Sequence, residues 1–267
     1  MNPSLSVITI CFNNLRELIK TCESIDSQSV PPDEHIIVDG STNEEIINWL
    51  LQHPQPVFRR WVHERDKGIS DAFNKGILSA KGTITHLLNS GDKYADKKAI
   101  ELVLKPFEKD KELMWLHSQY VQHRGDIDVI SGFPFEKNKL WKGMRTIAHP
   151  TMFIKKELYD RIGLYDIKLK IAMDYDMLVR MRDEKFSFIP HPLVYFSPGG
   201  TSHLQFSNAL DEVKKIHRQH LGYSFRQTLW QFRQRMLHVF MQTGLGKKWF
   251  RWKNRKNKSN ANAFETG

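Results

Sequence analysis

Over the first ninety residues, short apolar runs alternate with segments of helical period, and that alternation excludes most folds. Leu5–Cys11 (LSVITIC) and His35–Val38 (HIIV) are β-branched and apolar throughout, as strands buried on both faces are. Between them Leu15, Leu18, Ile19, Cys22 and Ile25 recur at helical spacing within Leu15–Ser27, and Pro31-Pro32 closes the connection. The pattern continues with a helix over Asn43–Leu51, a strand over Phe58–His63, a helix over Ile69–Ser79 and a strand over Thr83–Leu88. Strands alternating with helices predict an α/β chain: a doubly wound, mostly parallel sheet with helices on both faces.

The second half is less periodic. Lys97–Gly143 carries one helical segment and short strands around Met114–Gln122, without a topology that periodicity can assign. Beyond it the pattern predicts a strand at Met152–Ile154, helices at Lys156–Ile162 and Met173–Asp183, and a last strand near Phe186–Ile189. A chain of 267 residues can bury one full core and carry an appendage. We expect a catalytic domain over residues 1–210, with a donor half to about 95 and an acceptor half from about 96, followed by a basic amphipathic helical tail over 211–267.

The formal charge of +10 is concentrated in that tail. From Ser224 to Lys258 there are ten Lys or Arg and no Asp or Glu, so the remainder balances at 30 basic and 30 acidic residues. Leu229, Trp230, Met236, Leu237, Phe240 and Met241 interleave with Arg226, Arg233 and Arg235, and Trp249, Phe250 and Trp252 with Lys247, Lys248, Arg251 and Lys253. Basic and aromatic mixtures suit an anionic membrane surface. Packing of the apolar face on the catalytic domain, or phosphate-driven nucleic-acid binding, would use the same residues; nucleic acid is not the expected partner. The amino-terminal apolar run lacks the basic start and small-residue cleavage site of a secretory signal, and no run has the 18 to 20 apolar residues of a membrane span. Cys11 and Cys22 form no metal or disulfide framework, which fits a reducing compartment. The expected location is cytoplasmic, peripheral on the inner face of the cell membrane.

In an open parallel sheet, ligands bind beyond the carboxyl ends of the strands. Three such ends are polar: Asn13-Asn14 after the first strand, Asp39-Gly40-Ser41-Thr42 after the second, and Asn89-Ser90-Gly91-Asp92 after the fourth. Asp39 suits a nucleoside, since a carboxylate accepts from N–H and hydroxyl donors and repels phosphate; capping the following helix accounts for it equally well. Asp92 on a glycine turn suits a hard divalent cation, and such a turn also arises for conformational reasons alone.

Four segments in order, SVITICFNN, IIVDGST, GISDAFNKG and THLLNSGD, resemble the nucleotide-binding half of the family 2 glycosyltransferases, which have the GT-A fold. HPTMFIKKELYDRIGLYD and IAMDYDMLVRM resemble the family's acceptor-side segment, especially in bacterial enzymes building surface polysaccharides, so the resemblance runs from about residue 4 to 203. It implies an inverting transferase of hexosyl type that moves a sugar from a nucleotide-sugar donor, with uridine the expected base, to a saccharide or lipid-linked acceptor. It also implies a divalent cation, Mn2+ or Mg2+. Carried over by position, Asn13, Asp39, Asp71, Asn74 and Asn89 become donor-pocket residues, Asp92 the metal ligand and Asp174 the base that deprotonates the acceptor hydroxyl. Where many members carry two aspartates, this chain has Asn89 in place of the first, which keeps an oxygen ligand and removes a charge.

Asp176 lies about 200° around the helix from Asp174 and is given a supporting role; helix-start capping is the competing reading of Asp174. His149 and His203 flank the acceptor-side segment, where His203 would complete the metal shell; among 12 histidines, a surface role accounts for either. A nucleotidyltransferase would need a glycine-rich phosphate loop after the first strand, and CFNNLREL has none. A nonenzymatic membrane or nucleic-acid binder would not need carboxylates at the strand ends.

Overall fold

The computed structural model describes residues 2–124, 127–144, 147–197, 205–246 and 248. It separates into two compact units, Met1–His220 and Leu221–Gly267. The first opens with β1 (Leu5–Cys11), α1 (Leu15–Asp26), β2 (Glu34–Asp39), α2 (Glu45–Gln52), β3 (Arg59–His63), α3 (Ile69–Ser79), β4 (Ile84–Leu87) and β5 (Lys93–Tyr94). Then come α4 (Ala99–Lys109), β6 (Trp115–Arg124), β7 (Ile127–Ser131), 3-10 turns at Lys137–Lys142 and His149–Thr151, β8 (Met152–Lys155), α5 (Lys156–Ile162), α6 (Met173–Arg180), β9 (Phe186–Phe196) and α7 (Phe206–Leu221). The second unit contains α8 (Phe225–Gln242).

The sheet order is β3-β2-β1-β4-β8-β6-β9-β5, with β7 paired to β6. β1 is parallel to β2 and β4, and β2 to β3, so the first half is the expected parallel sheet. The second half is mixed: β8 runs antiparallel to β4 and β6, and β9 runs parallel to β6. Because β2 and β3 build outward on one side of β1 and β4 on the other, strand order reverses at β1. The carboxyl ends of β1 and β4 therefore part into a crevice.

β1 is buried on both faces, which is why it shows no polar alternation. Its Cys11 packs with Leu18 and Cys22 of α1, Ile37 of β2 and Ile46 and Leu50 of α2. On the opposite face α3 lies so close that a Cβ added to Gly76 would sit 2.3 Å from Ile8 Cγ2. A second cluster joins Leu5, Val7 and Ile84 to the buried stripe of α4, Ala99, Ile100, Val103 and Phe107.

Two boundaries differ from expectation. β9 continues seven residues past Ile189, through Pro190 and Pro192, because the β6–β9 register shifts around Gln119 and accommodates residues that have no N–H to give. α7, placed across the boundary expected at 210, groups with the first unit as far as His220. The Glu212 carboxylate explains this: it accepts from the backbone N–H groups of Lys170, Ile171 and Ala172, at 3.2, 3.0 and 2.8 Å.

The close approach of α3 to β1 sets a test. Gly76→Ala should lower the free energy of unfolding by about 1–3 kcal/mol, because a methyl forced against Ile8 overpacks the interface faster than removing a helical glycine stabilises it. Chemical denaturation measures the difference; an equal or more stable variant would contradict the packing described.

Candidate active site

A cleft of about 690 Å³ opens where the ends of β1 and β4 part. Ile10, Cys11, Phe12 and Asn14 line it from the β1 side, Asn89, Ser90 and Asp92 from the turn after β4. Asp66, Gly68, Ile69, Ala72 and Phe73 come from the start of α3, Lys170, Ile171, Met173 and Asp174 from the start of α6, and Phe196 and Ser197 from the end of β9. His149 stands among them.

Three polar groups make the floor. His149 Nε2 is 3.9 Å from Asp92 Oδ2, and its Nδ1 is 3.7 Å from Asp174 Oδ2. These are ion-pair separations, too long for hydrogen bonds. The imidazole's short contact is with Asn89 Nδ2, 3.0 Å from Nε2. Asp92 accepts from Ser197 N at 2.8 Å through Oδ1, which leaves Oδ2 facing the cleft side of the turn. Gly91, at φ 104°, supplies the left-handed conformation that turn requires.

Burial raises the Asp92 pKa to about 6, with His149 and the Ser197 N–H opposing the shift. Burial likewise raises that of Asp174, against the pull of His149. Asn89 Oδ1, Ser90 Oγ and Asp174 Oδ1 are buried here without a hydrogen-bond partner among the described residues. Such acceptors cost free energy unless a ligand satisfies them.

That unsatisfied set tests the fit of a cation. Among the described residues no three His, Cys, Asp or Glu side chains form a group that could by itself hold a metal ion. Asp92, Asn89 and Ser90 nevertheless present hard oxygens from one turn, the donor type that Mg2+ and Mn2+ take. A set this small leaves most coordination positions to a ligand's oxygens, as diphosphate sites do. His203 lies outside the described residues.

The other expected site residues have partners within the protein. Asn13, with φ 52°, spends its side chain on Thr42 Oγ1 and on the backbone N–H of Thr42 and Asn43, clipping the end of β1 to the loop after β2. Asp39 is wholly buried; its Oδ2 meets His63 Nδ1 at 2.7 Å and its Oδ1 accepts from Ser41 N. It lies under the surface rather than on the cleft wall, and the one-third exposed His63 is the side chain it presents. Asp71 accepts from Lys67 N at 2.9 Å and approaches Lys75, outside the cleft lining. Asn74 makes both its amide bonds to the backbone of Tyr165, at 2.8 and 2.9 Å, tying α3 to the loop before α6.

Asp176 points away from Asp174, as its angular offset predicts, and holds Arg180 at 2.8 Å and His220 at 3.0 Å. Arg180 in turn donates to the carbonyls of Ile162, Gly163 and Leu164, so Asp176 supports the framework of α6.

Sequence reasoning missed Asp66 and underrated His149. Asp66 caps the N–H of Gly68 at 2.9 Å and lies so near Gly40 that a Cβ there would meet its Oδ2 at 2.0 Å. The detectable signals were an acidic residue two positions before the glycine of a helix start, and a histidine directly before Pro150 at a strand entrance.

The Asp92 shift has a stability consequence. A carboxyl whose pKa rises from about 4 in the unfolded chain holds its proton more tightly when folded. Its contribution to stability is therefore fully present below pH 4, is lost as the pH rises to about 6 and stays lost above. In chelator, Asp92→Asn should gain about 1–3 kcal/mol over the native chain at pH 7 and little at pH 4. Melting curves across that range decide it; a difference that does not vary with pH would refute the buried, uncompensated carboxylate.

Comparison with known proteins agrees with this geometry. The profile of the family described as Glycosyl transferase family 2 matches residues 6–163. A Mycobacterium tuberculosis protein described as an uncharacterized glycosyltransferase is 26% identical over 232 residues, 84% of this chain and 86% of its own length. Chondroitin synthase of Pasteurella multocida is 29% identical over 188 residues, 68% of this chain but 19% of that much longer enzyme. Among solved structures, S. aureus TarS residues 1–349 with UDP-GlcNAc superposes with a TM-score of 0.63 at 14% identity, covering 84% of this chain and 69% of that one. This chain spans 41% of the longer TarS structure. A mannosyltransferase from Pyrobaculum calidifontis with GDP-Man and Mn2+ gives 0.57 at 16% identity, covering 83% of this chain and 62% of that one. With a family profile matched across more than half its length, and with the curled mixed sheet of the GT-A fold, this chain belongs to Glycosyl transferase family 2.

Proposed function

We propose that the chain is an inverting glycosyltransferase that takes a sugar from a nucleoside-diphosphate donor and places it on a hydroxyl of a saccharide or lipid-linked acceptor in surface-polysaccharide synthesis. The observation that carries this reading is the convergence of Asp92, His149 and Asp174 on one cleft floor lined with unsatisfied acceptors.

The donor's diphosphate lies against the turn after β4. Lys170 adds a positive charge on the opposite wall. Asp92, with Asn89 and Ser90, would hold Mn2+ or Mg2+, which supplies charge neutralisation for the departing diphosphate. Solved relatives in fold carry UDP-GlcNAc in one case and GDP-Man with Mn2+ in another, which supports a nucleotide-sugar donor and a cation while leaving the base to the test. Uridine is the first base to try.

Asp174 takes the acceptor's proton. It lies at the start of α6 across His149 from the metal turn, exposes 19% of its side chain, and has one buried oxygen without a donor. A base of raised pKa transfers a proton better than an ordinary carboxylate, and no covalent intermediate is needed if the acceptor attacks the face opposite the leaving group. His149 holds the two carboxylates apart and partly offsets both charges. We also assign the reaction to the cytoplasmic face of the membrane, a placement that the buried, unpaired Cys11 and Cys22 support.

Asp174→Asn should reduce turnover by about 10²- to 10⁴-fold and leave donor affinity nearly unchanged, since it removes an interaction made with the acceptor's proton. Steady-state kinetics test the role, and proton NMR of the product's anomeric centre tests inversion. Retained configuration, or turnover within about threefold of native, would exclude this mechanism.

A further inference from the structure

α8 carries its apolar stripe on the outside. Phe225, Leu229, Phe232, Met236 and Val239 recur at spacings of four and three, and they are 69, 58, 62, 55 and 60% exposed. At about 100° per residue they occupy one band roughly 80° wide, which Phe240 extends. Gln227, Gln231 and Gln234 lie on the opposite side of the helix and are buried. The arrangement inverts that of an ordinary surface helix, which turns its apolar stripe inward. Arg226 and Arg233, both exposed, run along one edge of the band, and Arg235 lies along the other.

An exposed band of this length calls for an occupant, and charge selects which. The four-three spacing would also serve as the seam of a coiled coil with a second copy. In that arrangement the three arginines fall beside the seam, where paired helices need opposite charges. α8 has no acidic residue, nor has the sequence anywhere from Ser224 to Lys258, so identical helices would bring like charges together. A lipid surface bearing anionic headgroups supplies the missing negative charge along both edges and an apolar layer for the stripe between them. Spanning is excluded for this helix, since among the described residues no helix is long and apolar enough to cross a membrane.

We propose that α8 lies in the plane of an anionic lipid surface, with Phe225, Leu229, Phe232, Met236 and Val239 inserted at the acyl boundary and the arginines at headgroup level. Seven further Lys or Arg follow in the sequence up to Lys258 and add to the attraction. The inference stands on the exposure and charge of α8 and does not depend on the transfer reaction.

The test is co-sedimentation of the full chain with vesicles of phosphatidylcholine alone and of phosphatidylcholine with about one-third phosphatidylserine. Binding to the anionic vesicles should be stronger by roughly tenfold or more and should weaken as salt rises. Leu229→Glu with Met236→Glu should lower it by a similar factor with the melting temperature unchanged, because both side chains are exposed. Equal binding to both vesicles, or full binding by the double variant, would overturn the proposal. So would a native dimer in analytical ultracentrifugation that the double variant dissolves, which would make the stripe a self-interface.

Discussion

Burying two carboxylates on either side of one imidazole is unfavourable in isolation, and much of the first unit exists to hold that arrangement. Asp92 arrives on the turn after β4, Asp174 on the first turn of α6, and His149 on the short 3-10 turn before β8. Both carboxyl pKa values are raised, so their partners do not repay the loss of water. Strain of this kind persists where the surrounding structure over-determines it and a ligand relieves it. The buried, unpartnered oxygens of Asn89, Ser90 and Asp174 belong to the same account.

The frame that fixes these residues is built from both halves of the chain. The sheet reversal at β1 opens the crevice, and the late extension of β9 delivers the Ser197 N–H to Asp92. The start of α6 is held from outside the residues that the family profile matches: Glu212 of α7 caps the backbone just before it, and His220 of α7 meets Asp176 in its first turn. Asn74 and Tyr165 lock α3 to the loop before α6. Displacing α7 would therefore move Asp174 without touching the cleft.

The parallel half of the fold was legible because parallel strands buried on both faces leave continuous apolar runs, and polar residues follow directly after them. The mixed half was not, because β6 to β9 pair across long sequence separations, and Pro190 and Pro192 concealed the length of β9. Asn89 and Asp92 stand out in the sequence as the polar turn after an apolar run, and Asp174 through the family resemblance. Asn13, Asn74 and Asp176 have the same chemistry, and only their partners show that they join segments of the chain. A sequence displays which side chains can bond and not which bonds they have already made, so the placing of His149 between Asp92 and Asp174 became visible only in three dimensions.

The central claim is that the cleft is completed by a cation and a nucleoside diphosphate together, because the protein itself offers so few ligands. Melting temperature measured with a panel of nucleoside diphosphates and nucleotide sugars, in Mn2+ and in chelator, tests it directly. The account predicts a rise for one nucleotide that requires Mn2+, little effect of Mn2+ alone, and loss of the rise in Asp92→Asn. An equal rise in chelator, an undiminished rise in that variant, or no rise with any nucleotide would contradict it.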